Sequence, residues 1–131
     1  MSKIWGTVDR LRRPVIRLET SAGETFLALV DTGFNGELML PLSDATALGF
    51  EVSNVKIKAV LAGDVAQELH EGSGILNWLG GNRRVELMVS PATTSRKMDD
   101  DPIALIGTKL LMSHLLFIDF QTLTVEIETQ N

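Results

Sequence analysis

The chain has 131 residues, 44% of them apolar and 22% charged, which is the balance of one folded domain and excludes a disordered chain. The net charge is −5, and the densest cationic group is only Arg10, Arg12 and Arg13, so a nucleic-acid partner is not expected. Without cysteine there are no disulfides or thiol nucleophiles, and His70 and His114 are too far apart in sequence to predict a metal site. We therefore expect no metal and no cofactor.

The first residues and the length of the apolar runs predict where in the cell the protein is found. The first residues contain no long apolar stretch, so they do not read as a signal peptide. No run approaches the length of about 18 apolar residues that a membrane span requires. We expect a cytoplasmic protein with no membrane partner.

Taken in chain order, the first half alternates short apolar strands with turns. Residues 14–20 and 25–31 predict a hairpin, and the second strand is apolar on both faces, which indicates a central position in a core. A short strand over 37–40 precedes a helix over 42–48, which ends at Gly49 because glycine readily adopts the left-handed conformation there.

The second half continues in the same pattern. It predicts a half-exposed strand over 55–59, extended chain over 60–78 that is broken at Gly63 and at 72–74, and a strand over 85–89. An exposed loop over 91–102 then leads to a buried strand over 103–106. A short helix over 108–113 and a hairpin over 115–120 and 123–128 complete the chain. The fold class expected is all-β with one or two short helices, as one closed or partly open β-barrel domain over residues 1–131.

The segment most informative about chemistry is Asp31-Thr32-Gly33. An ionisable aspartate follows a strand that is apolar on both faces, where a carboxylate must be hydrogen-bonded or paired. Thr32 supplies a hydroxyl, and Gly33 lets the backbone turn and another chain approach closely. A carboxylate at the floor of a cleft fits this pattern, and so does a simple turn in which Asp31 caps its own loop.

A second, distant segment favours the first interpretation. After Leu29-Val30-Asp31-Thr32-Gly33 comes an apolar strand over 38–41, and about seventy residues later comes Leu105-Ile106-Gly107 before a helix. With both parts present, the chain resembles the retropepsin-like aspartic proteases over residues 14–128, and is most similar to their small single-domain prokaryotic members. The resemblance implies a retropepsin-like barrel with one Asp-Thr-Gly lobe per chain.

The same resemblance implies a mechanism and a set of site residues. Asp31 would be the catalytic carboxylate, Thr32 would hydrogen-bond to the other copy, Gly33 would give the backbone room near the substrate, and Gly107 would let its strand pass close under the Asp31 loop. Peptide hydrolysis in this family uses two carboxylates that share a proton. This sequence has one Asp-Thr-Gly, so the active site would require a homodimer acting on a peptide or protein substrate.

Two parts of the chain depart from the family pattern. Phe34 stands where a small residue is usual after the glycine, which predicts a narrower cleft or an altered contact of the loop with its partner. By position, the tip of a flap over the substrate would fall at Ala62, Gly63 and Asp64, although the chain lacks a glycine-rich run there.

The motif leaves alternatives open. The domain could instead be a non-proteolytic dimer that binds an extended segment of a partner protein and uses Asp31 only to hold the loop, or a highly selective processing enzyme. For the strands of a dimer interface, the ends of the chain over 4–8 and 124–128 are candidates.

Overall fold

Strands form most of this chain. The computed structural model describes residues 2–61, 65–91 and 101–129. Strands account for 62% and helices for 9%, which confirms the all-β prediction with two short helices. The elements are β1 (Lys3–Val8), β2 (Pro14–Thr20), β3 (Thr25–Val30), β4 (Leu38–Pro41), α1 (Leu42–Ala47), β5 (Glu51–Leu61), β6 (Val65–Trp78), β7 (Gly81–Ser90), β8 (Ala104–Ile106), α2 (Thr108–Leu111), β9 (His114–Asp119) and β10 (Thr124–Thr129).

Six of these strands close into a barrel. Neighbouring strands pair in the order β2, β3, β8, β4, β7 and β6, and β6 returns to β2 through the pairs Glu19–Asn77 and Thr20–Leu76. The closed six-stranded ring confirms the predicted barrel. Closure gives each of these six strands a paired neighbour on both sides over at least part of its length, which removes the free edge of an open sheet.

The barrel closes around side chains that alternate along each strand. In β3 the first, third and fifth apolar positions are buried and the two between them are half-buried, so the strand is covered on both faces as its sequence predicts. Burying this apolar surface is the main favourable term in folding. The largest fully buried side chains of the ring are Ile16, Leu18, Leu38, Leu40, Leu69, Leu76, Val85, Val89 and Ile106.

A three-stranded flank extends the sheet beyond β2. The flank runs β1, β10, β9, and β1 pairs with β10 from Lys3–Glu128 to Thr7–Thr124. The two terminal segments proposed as strands of a dimer interface are thus paired with each other within one chain. Among the described residues, no helix has the length and apolar character needed to cross a bilayer.

The break predicted at residues 72–74 is wrong, because β6 runs through it without interruption. A Cβ on Gly72 would lie 2.6 Å from the Glu51 carbonyl oxygen, and one on Gly74 would lie 2.2 Å from the Phe50 ring. Both glycines therefore mark places where another segment packs directly onto the strand, which is a second use of glycine within strands.

Candidate active site at the Asp31 loop

The Asp31 loop, residues 31–37, joins β3 to β4. Strand β8 lies between these two strands, because it pairs parallel with β3 and antiparallel with β4. The loop therefore crosses the end of β8. The Asp31 N–H donates to the Ile106 carbonyl oxygen at 2.9 Å, which extends the β3–β8 pairing by one residue. The start of the loop is therefore fixed by the sheet itself.

The Asp31 side chain is half-buried and holds the turn with one of its two carboxylate oxygens. Oδ1 accepts a hydrogen bond from the Gly33 N–H at 2.9 Å, and the Phe34 N–H donates to the Asp31 carbonyl oxygen at 3.1 Å. This is the turn that the alternative interpretation predicted. Among the described residues, no hydrogen bond to Oδ2 is found. Thr32 and Gly33 are exposed beside it.

Phe34 does not project into a cleft, so the prediction of a narrowed cleft is wrong. Its side chain is only 7% exposed, and its ring lies against the Gly36 and Gly107 backbone. The ring packs beneath the loop and holds it in place, because burying a large aromatic side chain is favourable.

Gly107 lies directly under this loop, where the sequence placed it. A Cβ on Gly107 would lie 2.2 Å from the Gly36 carbonyl oxygen and 2.6 Å from that of Phe34. Its φ of −103° is open to any residue, so the position needs glycine for space and not for conformation.

The loop carbonyl groups also complete the first turn of α2. The N–H groups of Gly107, Thr108 and Lys109 donate to the carbonyl oxygens of Glu37, Phe34 and Gly36 at 3.0, 2.8 and 3.2 Å. No side chain caps this helix, so the loop satisfies N–H groups that a helix start leaves without partners. Loop and helix therefore hold each other in place.

An ion pair that the sequence analysis missed fixes the far end of the loop. Glu37 is 7% exposed, and its Oε2 accepts from Arg83 Nη2 at 2.9 Å while its Oε1 accepts from the Glu86 N–H at 2.8 Å. Arg83 Nη1 also donates to the Leu110 carbonyl oxygen of α2 at 3.2 Å. The only sequence signal was a charged residue entering an apolar strand, and its partner lies 46 residues away.

The loop before β2, residues 9–13, carries a second ion pair. It lies at the same end of the sheet as Asp31, since Val15, the second residue of β2, pairs with Leu29, two residues before Asp31. Arg13 binds Asp9 through Nη2 at 2.8 Å and Nε at 2.9 Å. Burial acts to raise the pKa of Asp9, but hydrogen bonds and charge from Arg13 outweigh it, so the pKa lies below its ordinary value.

A groove of about 520 Å³ runs from this loop toward the β5–β6 hairpin. Asn35 and Gly36 line it from the loop, Ile57 from β5, Glu71 from β6 and Met88 from β7. The two hairpin strands pair as far as the register Leu61–Val65. The predicted flap tip, Ala62, Gly63 and Asp64, lies outside the described residues.

The histidines stand apart from Asp31. His70 Nδ1 lies 3.2 Å from the Ser53 carbonyl oxygen, and His114 Nε2 accepts from Trp78 Nε1 at 3.1 Å. Within residues 2–61, 65–91 and 101–129, no group of three acidic or histidine side chains could hold a metal ion.

Comparison with known proteins adds no relative. A scan of protein-family models finds no match to the chain, and a search of curated proteins finds none.

Replacing Gly107 by alanine tests the contact between loop and strand. We expect Gly107→Ala to lower the free energy of unfolding by about 1–3 kcal/mol, because the methyl group must displace backbone oxygens and not flexible side chains. Gly81→Ala is the control, since a Cβ there meets nothing within 4 Å. Urea denaturation compares the two, and equal stability of both variants would contradict the packing described.

Glu37→Gln tests the ion pair at the other end of the loop. The amide oxygen can still accept from the Glu86 N–H, but the amide nitrogen cannot accept from Arg83, so we expect a loss of about 1–3 kcal/mol in unfolding free energy. The control is Glu86→Gln, which removes the exposed pair with Lys109 and should cost at most about 1 kcal/mol. A larger loss from the control than from Glu37→Gln would refute the assignment.

Proposed function

We propose that this protein is an aspartic endopeptidase that acts as a homodimer, with Asp31 from each of two copies forming the catalytic pair. The observation that carries the proposal is the Asp31-Thr32-Gly33 loop. It presents a half-buried carboxylate at the end of a barrel strand, and the backbone of β8 and α2 fixes its position. The resemblance of this loop and of Leu105-Ile106-Gly107 to the retropepsin-like proteases supports the same assignment.

The chemistry follows from bringing two such carboxylates together. Two carboxylates about 3 Å apart do not both ionise, so the pair holds one proton between them. The ionised partner takes a proton from a water, and that water attacks the peptide carbonyl carbon. The protonated partner donates a hydrogen bond to the carbonyl oxygen as negative charge develops there. The tetrahedral adduct then breaks its C–N bond, and the leaving amine takes the proton that the carboxylate removed from the water. The carboxylate pair activates the water, so this mechanism calls for no metal and no cofactor.

One chain contributes only half of this arrangement. Asp-Thr-Gly occurs once in the sequence, and no other aspartate is followed by Thr-Gly or Ser-Gly. A two-fold axis beside the loop would place Asp31 against its own copy, since such an interface joins the same surface of both subunits. The exposed Thr32 hydroxyls would then meet the partner loop and fix the distance between the carboxylates.

The groove beside the loop suggests how a substrate would bind. Its lining combines the apolar residues Ile57 and Met88 with Asn35 and Gly36 of the Asp31 loop, and it also includes charged residues, among them Glu71, Arg84 and Lys109. An extended peptide would bind there through main-chain hydrogen bonds and side-chain pockets. The β5–β6 hairpin would close over the peptide and exclude water.

One observation favours a second candidate. The hydrogen bond from the Gly33 N–H to Asp31 Oδ1 shows that the carboxylate already has a structural use. A dimer that binds an extended partner segment without cleaving it would need no more than this. The two candidates differ in whether Oδ2 takes part in chemistry.

Asp31→Asn separates the two candidates. Asparagine keeps an oxygen that can accept from the Gly33 N–H, so the loop should stay folded while the proton-transferring carboxylate is lost. We expect cleavage of a diverse peptide library at pH 4–7, read by mass spectrometry, to fall at least about 100-fold. Glu24→Gln, an exposed carboxylate at the opposite end of β3, should cleave like the wild type.

A wild-type dimer that cuts no peptide would favour the binding module. Cleavage that survives Asp31→Asn would refute the assignment of the catalytic residue.

Thr32→Cys tests whether two Asp31 loops meet. The chain contains no cysteine, so one introduced thiol can only form a disulfide with another copy. Disulfides require Cα atoms within about 7 Å, which two loops sharing an axis satisfy. We expect mild oxidation to give a covalent dimer on a non-reducing gel. Thr25→Cys, exposed at the other end of β3, should give no covalent dimer. Equal cross-linking of both variants would count against the axis.

A further inference from the structure

The end of the sheet that carries Asp31 also carries two neighbouring surface segments. The Val8–Pro14 pair joins the end of β1 to the start of β2, one residue beyond the Val15–Leu29 pair of β2 and β3, and the Val8 N–H donates to the Leu123 carbonyl oxygen at 3.0 Å. The loop over 9–13 and the turn over 120–123 therefore lie at the ends of consecutive strands. We refer to the exposed side chains of Leu11, Phe120 and Leu123 as the end patch.

The end patch is apolar and open to solvent. Leu11 is 58% exposed, Phe120 60% and Leu123 51%. Single exposed apolar residues are ordinary on protein surfaces. Three of them at one end of the sheet, next to a site that holds one carboxylate, indicate a surface that another molecule covers.

Backbone strain marks the same end. Leu123 has φ of 59° and Arg12 has φ of 63°, and only two other described non-glycine residues have positive φ. This left-handed conformation is unfavourable for leucine, whereas glycine or asparagine adopts it readily. Because the Leu123 side chain is exposed, it contributes little to the packing of its own chain and does not offset the strain of the turn. A contact with another molecule would explain why leucine stands at this position.

The charges around the end patch suit a second copy of the chain. Arg12 is exposed in one segment, and Asp119 is exposed beside the other. The Gln121 and Thr122 N–H groups bind Asp119, and these hydrogen bonds lower its pKa, so it stays ionised. In a two-fold interface the cationic segment of one copy can meet the anionic segment of the other. With a net charge of −5 on each copy, an interface that pairs opposite charges is favoured over one that brings acidic segments together.

Distance along the sheet is compatible with one interface. Leu123 is three strand spacings from Asp31, through β2, β1 and β10, or about 14 Å at about 4.8 Å each. A standard interface buries about 800 Å² per partner, which corresponds to a disc of about 16 Å radius. An interface centred beside Asp31 would therefore reach Leu123, while Phe120, at the end of β9 and one spacing further out, would lie at its rim.

We propose that the second copy docks on the end patch, so that Leu11, Phe120 and Leu123 of both chains pack around the axis on which the two Asp31 loops meet. The inference rests on the proposed function, because a site with one carboxylate is incomplete without the second copy. It assigns the interface to the loop after β1 and the turn before β10, whereas the paired strands β1 and β10 hold each chain together.

Leu123→Asn tests the patch without threatening the fold. Asparagine tolerates the left-handed conformation, so the thermal stability of the monomer should be unchanged or higher. We expect the dimer dissociation constant, measured by sedimentation equilibrium, to rise at least about 10-fold, and Leu11→Asn to act in the same direction. Leu115→Asn is the matched control: Leu115 is 36% exposed at the opposite end of β9, and its replacement should leave dimerisation unchanged.

The outcomes separate the surface from the activity. A Leu123→Asn dimer as tight as the wild type, with peptide cleavage intact, overturns the end patch and leaves the protease assignment standing. A weakened dimer with no cleavage by the wild type supports the end patch and favours the binding module over the protease. A wild type that is monomeric at every concentration overturns both, and equal weakening by Leu115→Asn overturns the end patch.

Discussion

The insertion of β8 between β3 and β4 is the constraint on which the rest of the site depends. Because β8 pairs with both strands, the loop that joins them must pass over its end, where the Asp31 N–H meets the Ile106 carbonyl oxygen. Gly107 allows that passage, since any side chain there would collide with loop oxygens. The Asp31 carboxylate is thus positioned by backbone contacts, which vary little with the side chains around them.

The loop is held from one side only. Phe34 is buried beneath it, α2 binds its carbonyl groups, and the Glu37–Arg83 pair fixes its exit into β4. Thr32 and Gly33, on the other side, face solvent. A rigid support with an open face suits a site that a second molecule completes, and the proposed homodimer would supply both the missing carboxylate and the missing cover.

The two candidate functions place different demands on one side chain. A binding module needs only Asp31 Oδ1, which holds the turn through the Gly33 N–H. Catalysis needs Oδ2 as well, since one oxygen must exchange a proton with water or share one with the partner carboxylate. Both functions keep the same three residues in the same turn, which is why the motif by itself does not decide between them.

The sequence by itself determined the strand content and the position of the loop. Alternating apolar residues and glycine turns act over a few residues, so the hairpin of β2 and β3, the strand after Asp31 and the helix after Gly107 could be predicted locally. The same local reasoning singled out Asp31, Thr32 and Gly33 as a loop whose carboxylate needs partners, because an ionisable residue after a doubly apolar strand is otherwise costly. Their catalytic role is implied by the family resemblance and not by this local pattern. It failed at Gly72 and Gly74, where glycine admits a neighbouring chain instead of ending a strand.

Tertiary structure alone decided which distant residues meet. The closure of the barrel through Thr20 and Leu76, the burial of Phe34 and the pairing of Glu37 with Arg83 each join segments whose sequences carry no mark of the partner. The pairing of β1 with β10, which occupies the strands expected at a dimer interface, is another such contact. Local propensity acts between neighbours in the chain, whereas these contacts form only when the closed sheet brings remote strands side by side.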